Sequence, residues 1–217
     1  MGVMMRVFNY VLGMIETNCY LIVNESTNQV IIVDPAEQAA RIQEKITEKQ
    51  LAPVAILLTH GHFDHIMAAT DLAREYDIPI YASEAEVEIL QNPKLNLSAT
   101  ANHNYALTPD VVVKDNDSLE LANMKIKVLH TPGHTAGGVC YYFPESEVLF
   151  SGDTLFSESV GRTDLPTGNS ELLLESIRTK LIVLQDDVKV YPGHGPSTTI
   201  AHEKTHNPYL YDENFWD

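Results

Sequence analysis

The chain is poor in cysteine and in positive charge, and it has no long apolar run. Two cysteines occur in 217 residues, Cys19 in TNCYLIV and Cys140 in GGVCYYF. That is too few for a disulfide scaffold, and both sit in apolar surroundings where a small buried thiol is the expectation, so the chain reads as a cytosolic protein. Lys and Arg number 14 against 30 Asp and Glu, a formal charge of -16. A surface of that sign repels polyanions, which argues against nucleic acid and anionic membrane as partners and leaves a small molecule. No run of 18 apolar residues is available to span a bilayer. No secretory pattern opens the chain, and Arg6 stands where an N-myristoylation signal needs Ser or Thr. Low-complexity tracts and linkers are missing as well, so one domain over residues 1–217 is expected, with oligomeric state left open.

What is there is an orderly alternation of patterns. Short β-type runs at 7–12, 19–23 and 30–33 end in Asp34-Pro35, a strand-to-turn signal. Over 36–50 the period changes: Ala39, Ile42 and Ile46 share one helical face. A strand at 54–58 leads to a helical pattern at 65–76, a strand at 78–82 and a short helix at 83–90 with Ser83 as cap. After a loop the chain returns to hairpins, 119–121 with 125–130 and 139–143 with 148–151, then a helix at 170–181 and a strand at 188–191. Each half runs strands first, helices later. This order predicts an α/β protein, a four-layer αββα sandwich of two mixed β-sheets flanked by helices.

The densest chemistry is THGHFDH, from Thr59 to His65, directly after an apolar strand. An extended chain puts residues i and i+2 on one side, so His60 and His62 can grip one cation, while Asp64 and His65 face a second position as the chain turns into a helix. At this composition the pattern arises by chance on the order of once in a thousand such chains. Asp64 as a mere helix cap and three unrelated histidines is the competing account. Further ligand types arrive at later strand ends, each after a glycine that allows close backbone approach: His134 in TPGHT, Asp153 in SGDTLF and His194 in YPGHG. Any one alone reads as a turn.

THGHFDH, PGHT, SGDTLF and PGHG, in that order, resemble the metal-binding motifs of the metallo-β-lactamase superfamily, over most of the chain. SGDTLFSESVGRTDLPTGN is similar to the short hydrolases related to glyoxalase II, which act on acylglutathiones, and to the persulfide dioxygenases. The resemblance implies an αββα sandwich, a first metal on His60, His62 and His134, a second on Asp64, His65 and His194, and Asp153 as the bridge. Asp34 matches a family aspartate that supports a ligand from behind; a turn-opening Asp before proline is the plain alternative. His130, on the strand leading to His134, is a further candidate supporting residue. Arg162 in GRTD can bind a substrate carboxylate or pair with Asp164. Five histidines and two carboxylates without thiolate suit two divalent ions, zinc first, with iron or manganese also accommodated.

Two such cations about 3.5 Å apart can share a water and ionise it near neutral pH. The expected activity is therefore a dinuclear metal-dependent hydrolase in which a bridging hydroxide attacks a carbonyl, most simply a thioesterase of the hydroxyacylglutathione type. Asp64 and Asp153 are its candidate catalytic carboxylates. A mononuclear iron persulfide dioxygenase on His60, His134 and Asp153 is the rival, a lactonase a further hydrolytic option, and a closed structural site the non-enzymatic one. Glyoxalase II proper adds a helical segment that contributes to glutathione binding, whereas 23 residues follow His194 here.

Overall fold

The computed structural model describes residues 4–210. The acylation reading at the first residues, and the chain beyond Leu210, lie partly or wholly outside that range.

The first sheet begins with β1 (Met5–Leu12), β2 (Thr17–Asn24) and β3 (Gln29–Val33), an antiparallel meander. Every residue of β2 is buried, because its sheet is covered on both faces, and such strands read as continuous apolar runs. β1, at the sheet edge, is half-buried. From β3 the chain crosses through α1 (Ala39–Glu48), whose Ile42 and Ile46 face inward, to β4 (Ala52–Leu57), parallel to β3. Then come α2 (Phe63–Ile66), α3 (Ala69–Tyr76), β5 (Ile80–Ser83), a tight turn at Glu84–Glu86, α4 (Val87–Gln91) and β6 (Val111–Val113), with β4, β5 and β6 parallel.

The second sheet is built from β7 (Ser118–Leu121), β8 (Met124–His130), β9 (Val139–Phe143) and β10 (Val148–Gly152), consecutive antiparallel strands. In β8, Met124, Ile126 and Val128 are buried while Lys125 and Lys127 face out, the period-2 alternation of a sheet. A two-residue hairpin, β11 (Leu155–Phe156) and β12 (Ser159–Val160), precedes α5 (Ser170–Ser176), which continues in wider π-type turns over Ile177–Leu181. β13 (Lys189–Pro192) then joins parallel to β10, and β14 (Thr198–Thr199) and α6 (Ile200–His206) follow.

Three apolar clusters make the four layers. One fills the space between the first sheet and α1 and α3, with Leu21, Ile32, Ile42, Ile56 and Leu72. A second lies between the sheets, with Ile22, Ile31, Leu57, Tyr141 and Phe150. The third packs α5 and α6 on the second sheet through Leu149, Leu173, Ile177, Val190 and Ile200. Cys19 and Cys140 are buried in the first and third and are free thiols. Among the described residues no helix is long and apolar enough to cross a membrane.

Several element boundaries depart from the sequence pattern for local reasons. The helix expected from residue 36 starts at Ala39, because Asp34, Ala36 and Gln38 all have positive φ (46°, 52° and 64°), which no right-handed helix admits. The pattern at 65–76 is two short helices separated by Met67 and Ala68. Ser83 precedes its turn without a capping hydrogen bond from its side chain. Val111–Val113, read as loop, is an edge strand on β5, too short for periodicity to reveal.

Candidate metal centre

The chains leaving β4, β8, β10 and β13 all emerge on the same edge of the sandwich, and there the seven residues meet. Three overlapping groups of side chains each offer ligand atoms within 4.8 Å of one another: His60, His62 and His134; His60, His65 and Asp153; and Asp64, His65 and His194. His62 Nδ1 and His134 Nε2 are 2.9 Å apart, and His65 Nε2 and His194 Nε2 3.3 Å. Asp153 reaches both ends, with Oδ1 3.4 Å from His65 Nε2, and Oδ2 3.5 Å from both His134 Nε2 and His194 Nε2.

The fit to divalent cations rests on atoms that protein does not satisfy. His60 Nε2, His62 Nε2 and Asp153 Oδ1 are buried without a hydrogen-bond partner, a costly arrangement unless something fills it. Imidazoles and carboxylates without thiolate suit zinc, iron or manganese alike. The ring nitrogens turned away from the centre are spoken for. His65 Nδ1–H donates to Asp34 Oδ2 at 2.9 Å and His134 Nδ1–H to the carbonyl of Arg162 at 2.7 Å, which leaves each Nε2 for the site. Thr59 Oγ1 lies 3.1 Å from His60 Nδ1 and donates to Asp34 Oδ2 at 2.6 Å, while its N–H donates to Asp34 Oδ1 at 2.8 Å. Asp34 thus supports both sides of the centre, from a left-handed backbone at φ 46° that aims its carboxylate past Pro35.

Charge divides the cluster. Burial, reinforced by neighbouring imidazoles, pulls the pKa of His60 far down and that of His62 to about 3. Burial opposes the charge on His65 too, yet Asp64, Asp153 and Asp34 outweigh it and raise His65 to about 9. His194, also opposed by burial, is carried up to about 10 by Asp153 and Asp64. Burial would raise both carboxyls, but His65 and His194 hold Asp64 at about 2 and Asp153 below its ordinary range. Ion pairs of His65 and His194 with Asp64 and Asp153 thus stand beside His60 and His62, whose rings burial keeps neutral.

Two glycines show why the loops have this composition. A Cβ on Gly193 would overlap Asp153 and His65, so the backbone before His194 must lie against the centre. Gly133, at φ 136°, faces elsewhere: a Cβ there would overlap the backbone of Leu173 in α5. Its close approach seats the helix, not the metal residues.

Other expectations fall differently. The His130 ring bonds the carbonyl of Ala136 at 3.0 Å and its N–H donates to Asp115, so it braces the turn after His134 and supports no ligand ring. The Arg162 guanidinium is exposed and forms a two-pronged pair with Asp164 at 2.7 Å; its contribution to the centre is its main-chain carbonyl. Sequence reasoning missed Thr17 and Asn18. Thr17 Oγ1 donates to Asp64 Oδ2 at 2.8 Å, and Asn18 Nδ2 donates to the carbonyls of Pro192 and Gly195, both at 2.9 Å. It passed over Thr59 and over Glu86, a buried residue whose acidic sequence neighbours look like a solvated face. A concavity of about 670 Å³ is lined by Thr70, Arg74, Asp77 and Asp110, near the start of β5 and so at the opposite end of the strands from the seven.

The family model of the metallo-beta-lactamase superfamily matches residues 12–194. The chain belongs to this superfamily. It is 40% identical over 216 residues to the probable metallo-hydrolase M6_Spy0554 of Streptococcus pyogenes, covering 96% of this chain and 92% of that one. It is 38% identical over 198 residues to the hydroxyacylglutathione hydrolase GloC of Haemophilus influenzae, covering 90% and 93%. Among solved structures, BLEG-1 B3 metallo-beta-lactamase superposes with a TM-score of 0.91 at 40% identity, covering 95% of this chain and all of that one. TTHA1623 in a di-iron-bound form gives 0.84 at 33%, covering 94% and 100%. ETHE1 from Myxococcus xanthus gives 0.78 at 30%, covering 94% and 83%. The αββα architecture read from element order is the architecture of this superfamily, and its His/Asp cluster is a divalent-metal site.

Proposed function

We propose that the chain is a dinuclear metal-dependent hydrolase acting on an acyl thioester of the hydroxyacylglutathione type, a small-molecule enzyme of the cytoplasm without nucleic-acid or membrane partners. The observation that carries the two-metal reading is the reach of Asp153 into both groups of imidazoles. His60, His62 and His134 would hold the first cation and Asp64, His65 and His194 the second, with Asp153 within reach of both. When bound, a pair of divalent cations lowers the pKa of a shared water toward neutrality and polarises a carbonyl oxygen. The protein's part is placement. Asp34 fixes the tautomer and angle of His65 and, through Thr59, borders His60. Arg162 does the same for His134 with its carbonyl. Asp64, held by Thr17, would orient an attacking water, and His194, the most open of the seven with 24% of its side chain exposed, marks the side from which substrate would enter. Zinc is the proposed native metal, and the di-iron form of TTHA1623 makes iron the alternative to test.

The thioester reading draws on the similarity to GloC and on the SGDTLFSESVGRTD segment. A mononuclear iron persulfide dioxygenase on His60, His134 and Asp153 is the second reading, favoured by the 3.5 Å between His134 Nε2 and Asp153 Oδ2 and by the likeness to ETHE1. Metal analysis of purified protein with a substrate panel decides between them: an acylglutathione, a lactone, a β-lactam, and a persulfide with oxygen uptake recorded. Close to two metals per chain with thioester turnover is the expected result. One iron, oxygen uptake with the persulfide and no thioesterase activity would replace the hydrolase by the dioxygenase.

A further inference from the structure

A buried carboxylate outside the seven has no cation beside it. Glu86 closes the tight turn Glu84–Glu86 after β5 and is 1% exposed. Among the described residues no lysine, arginine or histidine pairs with it. Its partners are donors from two loops that carry metal residues. Gly61, between His60 and His62, donates its N–H to Oε1 at 2.8 Å. Thr135, next to His134, donates its hydroxyl to Oε2 at 3.0 Å. The N–H of Gly137 also bonds this carboxylate, and a Cβ on Gly137 would overlap the Glu86 backbone, so the third loop segment lies flat against the turn.

We infer that Glu86 is a positioning residue for the first metal position: one carboxylate ties the His60-Gly61-His62 loop of the first sheet to the His134-Thr135 loop of the second and sets the spacing of the three imidazoles. The three rings come from two sheets, so no single element defines their mutual distance. A rigid link to both loops does. Burial pushes the Glu86 carboxyl up to about 7, against the pull of its three donors, and Asp153 already brings a carboxylate to the first position, so the link acts through its shape. A carboxyl group this deep, held by N–H and O–H donors from two loops, carries a desolvation cost that an apolar contact between the loops would avoid. No corresponding contact to Asp64 or His194 is made by Glu86, so its effect is confined to one half of the centre. The inference rests on the metal-binding part of the proposed function and is independent of the substrate.

The experiment measures metal affinity, not turnover. Zinc is titrated against a chelator of known affinity in the His194→Ala background, where the first position alone keeps its full ligand set, and again after adding Glu86→Gln. Expected is a 10- to 100-fold loss at the first position, the range for loss of an outer-shell partner. In the complementary His62→Ala background, Glu86→Gln is expected to change the second position less than about threefold on the same scale. Thr135→Val, which removes one donor and keeps the carboxyl group, gives a smaller loss with the same selectivity, and remains informative if Glu86→Gln folds poorly. Circular dichroism and melting of the metal-free proteins provide the structural readout. Equal affinity with and without Glu86 overturns the inference, as does parallel weakening of both positions in step with a lower melting temperature. Failure of the parent protein to bind two zinc ions is a separate outcome, which removes the dinuclear reading and the inference with it.

Discussion

The two halves of the centre are built on opposite principles. His60, His62 and His134 are all under 5% exposed and tied from behind by Thr59, the Arg162 carbonyl and the Glu86 link. Asp64, His65 and His194 form a charged set that is open at one end. His194 follows a Pro-Gly turn held on one side by Gly152 of β10 and on the other by the β1–β2 hairpin, through a bridge between Thr17 and His194 and bonds from Asn18 and Tyr20. Buried rings pinned from behind select a cation by geometry, whereas a set that carries a carboxylate and is open at one end binds it by attraction. The difference teaches that two adjacent sites in one cavity can be tuned separately by what stands behind each ligand.

That contrast can be broken most completely at the residue both halves share. Asp153→Ala is expected to empty both positions and reduce turnover by more than the roughly 100-fold that loss of an outer partner costs, with the circular dichroism spectrum unchanged; His60→Ala is expected to do the same to turnover. His194→Ala cuts one half only, and metal analysis should fall from about two ions per chain to about one. Asp34→Asn is next, because Asp34 touches Thr59 and His65 and so stands behind both halves. Both positions should weaken by roughly 10- to 100-fold, and selective loss at one would show that Thr59 transmits nothing to His60. Removal of metal by a chelator sharpens the comparison without mutation: release should occur in two phases, the exposed His194 side first, read by a zinc-sensitive dye. A single phase would mean that the halves are not independent. The smallest effect is expected at Arg162→Ala. Its pair with Asp164 is exposed, such pairs are worth about 0–1 kcal/mol, and KM and melting temperature should both stay near those of the parent. A large rise in KM would instead make Arg162 a substrate contact.

The legible part of the site was the part whose chemistry is rare. Histidines at 60, 62 and 65 and the Gly-ligand turns at 134, 153 and 194 stand out because few other roles call for those residues at strand ends. Thr17, Asn18, Thr59 and Glu86 did not, because hydroxyls, amides and surface-like acids occur everywhere and their function lies in partners 25 to 177 positions away. The same holds for the fold. The buried run of β2 and the alternation of β8 announced themselves, whereas β6 and the β11–β12 hairpin are too short to show a period. His130 illustrates the converse: proximity in sequence to His134 suggested a partner, and its ring faces Ala136 instead.

By itself, then, the order of apolar periods and the types of residue at strand ends determined the sandwich and the donor set, because both follow from local geometry: side-chain alternation along a strand and the coordination preferences of imidazole and carboxylate. Only the tertiary structure decided which nitrogen of each ring is free, which half of the centre is charged, and that a glutamate after β5 joins loops from two sheets. Those properties depend on distances between residues far apart in the chain, and burial changes the free energy of a charge in ways that no neighbour in sequence can announce.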